Sequence, residues 1–171
     1  MAGTPFGTWA KQYICGMQRL NFPTGDFRFK SSENKTAIFD RIRKKFVILT
    51  PEEWVRQHAV HYLQNVLGYP LSLINVEKTI RVNKMPRRFD IVVYSTLGTI
   101  DILVECKAPH VQITQATFDQ AARYNMTAGA RYLMVTNGLS HYCCAVDYGN
   151  ARYDFMPELP AYRAGSVSLQ P

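Results

Sequence analysis

Two apolar runs separated by four residues constrain this chain more than any other feature: "RRFDIVVY" (87–94) and "TIDILVECK" (99–107), joined by "STLG". Both are rich in β-branched residues and the link carries a glycine, the pattern of an antiparallel hairpin. A turn centred between Leu97 and Gly98 pairs the two runs symmetrically and sets Asp90 opposite Glu105. Directly opposed residues bring their Cβ atoms to about 4.5–5.5 Å. Alternation then places Asp90, Glu105 and Lys107 on one face, with Ile91, Val104 and Cys106 on the other. Asp101 shares the first face, but it stands beside the turn and is read as solvated. Like charges facing each other destabilise a sheet, and charges on a buried strand are costly to desolvate. Two arrangements answer that cost. One is a salt-bridge trio of Asp90, Lys107 and Glu105 at the sheet end. The other is a divalent cation between the carboxylates, since Mg²⁺ takes one or two carboxylates plus waters and phosphate oxygens. Lys107 could then polarise an attacking water or steady charge developing on phosphorus.

The elements around this hairpin follow from local signals. "TPEEW" opens a helix: Thr50 caps it, Pro51 suits the first helical position and Glu53 completes a capping box. Val55, Ala59, Tyr62, Leu63 and Val66 form its apolar stripe, and Gly68 ends it. "SLINVEKTIRV" reads as a strand ahead of the hairpin. Thr114 caps a second helix, "QATFDQAARYNMTA", and "RYLMVTNG" and "HYCCAVD" close as two strands. The expected fold class is α/β: a mixed central sheet flanked by helices, in the order helix, three strands, helix, two strands. Residues 1–35 read as an extended arm with at most one short strand, 36–150 as the main domain, and 151–171 as an irregular tail. "KTAIFDRIRKKF" has helical spacing through Ile38 and Ile42, although "KKFVILT" has the look of a strand.

Charge points to a partner. The chain of 171 residues carries a formal net charge of +7, and residues 1–50 hold nine Lys/Arg against three Asp/Glu. Arg43, Lys44 and Lys45 form the densest cluster and are candidate phosphate contacts, as is Arg88, which has the parity of Asp90. A solvated face would account for the same cluster. The four cysteines form no C-x-x-C pair and read as free thiols. No apolar run is long enough to cross a bilayer and no signal-peptide pattern opens the chain, so a cytoplasmic protein without membrane contact is expected. His58 and His61 share a helix face but lack a third ligand, and Glu53 is accounted for by capping.

Asp90, followed after fourteen residues by Glu105-Cys106-Lys107, resembles the D…E-x-K core of the PD-(D/E)XK nuclease superfamily. Within it the chain most resembles the N-terminal nuclease domain of type I restriction enzyme R subunits. The stretches that carry the likeness are "LNFP", "DRIRKKFVILTPEEWVRQH", "RRFDIVVY", "LVECKAP", "DQAARYN" and "VTNGLSHYCC", spanning about residues 20–150. The resemblance implies a restriction-endonuclease-like core, with Asp90 and Glu105 holding Mg²⁺ (Mn²⁺ substituting) and Lys107 assisting the nucleophile. It also implies a supporting role for Gln120 and Tyr124, which match a Q-x-x-x-Y motif and share one helix face. Phe89 stands where the superfamily's proline would be. No G-x-x-x-x-G-K-[ST] loop is present, so ATP-driven translocation is expected to reside elsewhere. The expected function is metal-dependent endonucleolytic hydrolysis of DNA, with other restriction-system or helicase subunits as partners. The alternatives are a silent nuclease-fold module that binds DNA or a protein, and an assembly subunit. Oligomeric state is not legible.

Overall fold

The computed structural model describes residues 17–32, 35–82 and 85–164. The aromatic-rich stretch before residue 17, with Cys15, lies outside the described residues. Thr50 caps helix α1 (Pro51–His61): its hydroxyl accepts from the Glu53 backbone N–H at 3.0 Å, and Pro51 opens the first turn. Val55, Ala59 and Leu63 of the expected stripe are fully buried, each branched side chain contributing about 1.5–3 kcal/mol. Val66 is not buried. The helix widens into a π-helical turn (Tyr62–Val66), where the Leu67 N–H donates to the Tyr62 carbonyl. The extra residue rotates the apolar face, so Leu67 enters the core and Val66 meets solvent.

Beyond Gly68 the chain enters the central sheet. Its strands are β4 (Ile74–Val82), β5 (Met85–Tyr94), β6 (Ile100–Cys106), β7 (Tyr132–Thr136), β8 (His141–Asp147) and β9 (Arg152–Met156), hydrogen-bonded in that order. Only β6 and β7 are parallel. Their connection is helix α2 (Gln115–Ala128), capped by Thr114 and ended by Gly129 in the left-handed region. Helix α1 packs on one sheet face, with Val55, Ala59 and Leu63 against Ile91, Val93, Ile102 and Val104. Helix α2 packs on the other, with Phe118, Ala121 and Ala122 against Val92, Leu103 and Leu133. The result is a three-layer α/β domain with a mixed sheet at its centre. No helix among the described residues is long and apolar enough to cross a membrane.

Three expectations are corrected. Residues 36–46 contain no helix: β1 (Phe29–Ser32), β2 (Lys35–Asp40) and β3 (Lys45–Ile48) form a separate antiparallel sheet. The two-residue alternation of Ile38 and Val47, which face the core, prevails over the helical spacing. This sheet also begins inside the supposed arm, since Ser31 pairs with Thr36 and Phe29 with Ile38 across the boundary drawn after 35. The tail from 151 is not irregular either. Strand β9 pairs with β8, and Leu159 is buried in the α1-side core.

Candidate active site at the end of the central sheet

At the turn the β5–β6 register is offset by one residue from the expected one, with Tyr94 opposite Ile100, and it shifts to the expected register between Val93 and Tyr94. Ile91 pairs with Val104, Val92 with Leu103 and Val93 with Ile102, which aligns Asp90 with Glu105 one step further on. Strict alternation breaks at this point. Phe89 packs in the α2-side core and Ile91 in the α1-side core, although two residues apart should share a face. The break coincides with Glu77 on β4, which stands opposite Asp90 between two paired neighbours and has a positive φ of 49°. The register is unchanged on either side, so no residue is inserted; the left-handed Glu77 interrupts the pleat locally, and no Glu77–Asp90 pair forms in the ladder. Asp90 accordingly lies beside β6 while reaching helix α1. Its Oδ2 accepts from the Cys106 backbone N–H at 2.8 Å and its Oδ1 from Arg56 Nη2 at 2.7 Å.

Glu105 stands next to it, ion-paired with Lys107 Nζ at 2.7 Å. Burial raises the Glu105 pKa above the ordinary carboxylate value, and the Asp90 charge adds to that; the bond from Lys107 opposes both. Partial burial works against the Lys107 ammonium, but its bond to Glu105 and the charges of Glu105, Asp90 and Glu52 together hold its pKa above the usual lysine value. Glu52 is therefore part of this electrostatic neighbourhood, from the first turn of α1. Sequence reasoning weighed the adjacent Glu53 and passed over Glu52, because a helix-start acid is explained by the macrodipole alone. Cys106, fully buried, has its thiol pKa pushed well up by desolvation, which keeps it a packed, protonated group.

Behind the carboxylates lies a charge network that the sequence did not announce. Arg56, with a side chain only 6% exposed, binds Asp90, Glu53 and Glu52. Burial disfavours its charge, and the Asp90 and Glu53 carboxylates outweigh that and hold it firmly protonated. Its buried Nε has no hydrogen-bond partner among the described residues. Glu53 in turn binds Arg43 Nη2 at 2.5 Å, and Arg43 also binds Asp40 and Glu77, both at 2.6 Å. The chain of contacts Arg43–Glu53–Arg56–Asp90 ties the β2–β3 turn to the candidate site. The only local signal was the three- and four-residue spacing from Glu53 and Glu52 to Arg56. The bond to Asp90 is tertiary.

The remaining expected residues fall in different places. Arg43 is committed to three carboxylates and is 17% exposed, which corrects the reading of it as a free phosphate contact. Lys44 is exposed on the same turn and Lys45 is exposed at the start of β3. Arg88 is 68% exposed and lies 3.6 Å from Glu77. Gln120 is exposed on α2. Tyr124 packs at the edge of the α2-side core, under the Arg87 guanidinium at 4.6 Å. His58 is buried among Trp54 and Phe27. Asp101 is not solvated: it is buried and ion-paired with Arg131 at 2.6 Å.

A divalent cation is tested by its donor set. Among the described residues no group of three His, Cys, Asp or Glu has a metal-holding arrangement. Asp90 and Glu105 remain, hard oxygen donors side by side whose mutual repulsion a cation would relieve. Two carboxylates is the number Mg²⁺ accepts, with waters and phosphate oxygens completing its shell. The residues fit such an ion.

Comparison with known proteins follows the same outline. The family described as "Type I restriction enzyme R protein N terminus (HSDR_N)" matches residues 51–160. No curated protein matches the chain. Among solved structures it is similar to a fragment described as an HsdR subunit of a type I restriction enzyme from Vibrio vulnificus YJ016. That match has 20% identity and a TM-score of 0.48, and it covers 66% of this chain. The chain spans only 24% of the length of that structure. The matched residues begin at α1 and run through β9, leaving the β1–β3 sheet outside. From α1 to β9, the chain belongs to the family of type I restriction enzyme R protein N-terminal domains.

Proposed function

We propose that the chain is a restriction-type nuclease domain with a restriction-endonuclease-like core, hydrolysing phosphodiester bonds of DNA at Asp90, Glu105 and Lys107. The observation that carries this reading is the convergence of those three groups at one sheet end, where β6 breaks off and α1 closes the side. Asp90 and Glu105 would hold Mg²⁺, or Mn²⁺ in its place, which when bound supplies Lewis-acid stabilisation of charge on the phosphate and a more acidic water. Arg56 orients the Asp90 carboxylate through its ion pair at Oδ1, and each Asp90 oxygen keeps a lone pair beyond the hydrogen bond it accepts. The Lys107 ammonium steadies negative charge as the attacking water gives a proton to solvent and its oxygen bonds to phosphorus, while the P–O bond to the leaving strand breaks and that oxygen takes a proton from solvent. Exposed Arg88, Lys44 and Lys45 contact flanking phosphates, and Gln120 with Tyr124 supports the substrate side. Other subunits of a restriction system, a helicase motor among them, are the proposed partners.

One observation favours a second reading. Both Asp90 oxygens already accept hydrogen bonds, as they would in a nuclease-fold module that binds DNA or a protein without cutting. Plasmid DNA incubated with the protein and Mg²⁺ or Mn²⁺ separates the two. Nicking that falls about 100-fold or more in Lys107→Ala supports hydrolysis at this site. Equal cleavage by wild type and variant removes it, and DNA binding without turnover supports the silent module.

A further inference from the structure

The outer face of the β1–β3 sheet is not used by the site described above. Its inner row, Phe29, Ile38 and Val47, packs on the α1-side core. Alternation sends the intervening residues outward, and the register aligns them in rows across all three strands. Arg28 lies beside Phe39, whose N–H donates to the Arg28 carbonyl at 2.8 Å, and Phe39 pairs with Phe46. The next row is Lys30, Ala37 and Ile48. Rows on one face are about 7 Å apart. The Arg28 guanidinium lies over the Phe39 ring at 4.5 Å and within 5.9 Å of the Phe46 ring; the two rings meet edge-on at 5.2 Å. Phe46 is 37% exposed and Ile48 55%.

Such a face is costly to leave in water and is cationic besides. Among the described residues of 17–50, seven exposed Lys/Arg stand against one exposed acid, Asp26. The other acid there, Asp40, is buried and bound to Arg43. A stacked guanidinium and ring, with an exposed aromatic beside them and lysines along the same face, is the combination that receives unstacked bases and their phosphates. Duplex DNA offers the charge but keeps its bases stacked, so it cannot use Phe46.

We infer that the outer face of the β1–β3 sheet binds a single-stranded stretch of nucleic acid, with bases stacking on Phe46 and Arg28 and phosphates meeting Lys30 and Lys35. This deepens the nucleic-acid reading of the preceding subsection by assigning a strand state to the part of the substrate beyond the cut site. Arg43 gives the arrangement its stiffness: from the β2–β3 turn it grips Glu53 and Glu77, so a strand on the sheet is held at a fixed place relative to Asp90.

The test is fluorescence anisotropy on the full chain, using a labelled single strand of about 15 nucleotides and the same sequence as duplex. Phe46→Ala and Arg28→Ala should each weaken single-strand binding about tenfold while changing duplex binding much less. Lys30→Ala/Lys35→Ala should lower the slope of log affinity against log salt by about 1.4 for the single strand. Circular dichroism confirms that these surface variants fold. Single-strand affinity unchanged in all three overturns the inference. So does an equal loss on duplex, which would mean charge alone, or loss of a dimer at unchanged oligonucleotide affinity, which would mean a second copy covers the face. A chain that binds this way but never cuts overturns the hydrolysis reading and leaves this one standing. A chain that cuts while Phe46→Ala binds normally does the reverse.

Discussion

At the scale of single residues, Arg56 organises the candidate site. It is held between Asp90 of β5 and Glu53 of α1, with its guanidinium out of water and three carboxylates around it. A buried charge of this kind depends on every partner, since removing one leaves the others desolvated and unpaired. Arg56→Met, similar in length but uncharged, is expected to lower unfolding free energy by about 3–5 kcal/mol in a urea titration. It should also free Asp90 Oδ1. The alignment of Asp90 with Glu105 was expected from counting across a turn, and the β5–β6 pairs from Ile91 to Val93 continue toward it. Arg56 was not legible, because a helix arginine near two glutamates looks like an ordinary surface ion pair until α1 is laid on the sheet.

At the scale of elements, the β7–β8 hairpin shows how turn chemistry fixes a long-range contact. Asn137 Oδ1 accepts from the Leu139 and Ser140 N–H groups, and Gly138 carries a φ of +83°. The Gly138 carbonyl accepts from the Asn21 N–H at 2.7 Å, which docks the "LNFP" stretch on the hairpin. A Cβ on Gly138 would lie 2.7 Å from Leu20 Cδ2, on a backbone that L residues rarely adopt. Gly138→Ala is therefore expected to destabilise by about 1 kcal/mol or more, read as a lower thermal midpoint. By sequence "RYLMVTNG" reads as strand to its end, whereas residues 137–140 form the turn between β7 and β8. The docking contact has no local signature, because the Asn21 side-chain amide that also donates to the Leu139 carbonyl lies 118 residues away. Helix α1 teaches the complementary lesson: its start was legible to the residue through Thr50 and Pro51, whereas the π-helical turn that exposes Val66 has no local signature.

At the scale of the whole molecule, acid sensitivity is set where the amino-terminal segment meets α1. His58 is buried against Trp54 and Phe27, and burial lowers its pKa to about 4 despite the bond of its Nδ1 with the Trp54 carbonyl. A histidine kept neutral in the fold but free to charge when unfolded stabilises above its ordinary pKa and loses that stabilisation as pH falls. Stability should accordingly drop by on the order of 3 kcal/mol between about pH 6.5 and pH 4. His58→Phe, which keeps a ring in place, should flatten that part of the profile in denaturant titrations across the range. The sequence by itself determined strands β4 to β8 and both helices, because alternation, caps and turns act over a few residues. Tertiary structure alone decided the rest: the separate β1–β3 sheet, β9, the break in alternation at Asp90, and the line from Arg43 to Asp90. Those depend on which buried charges find a partner and which apolar faces find cover, and both are settled only when distant segments pack together.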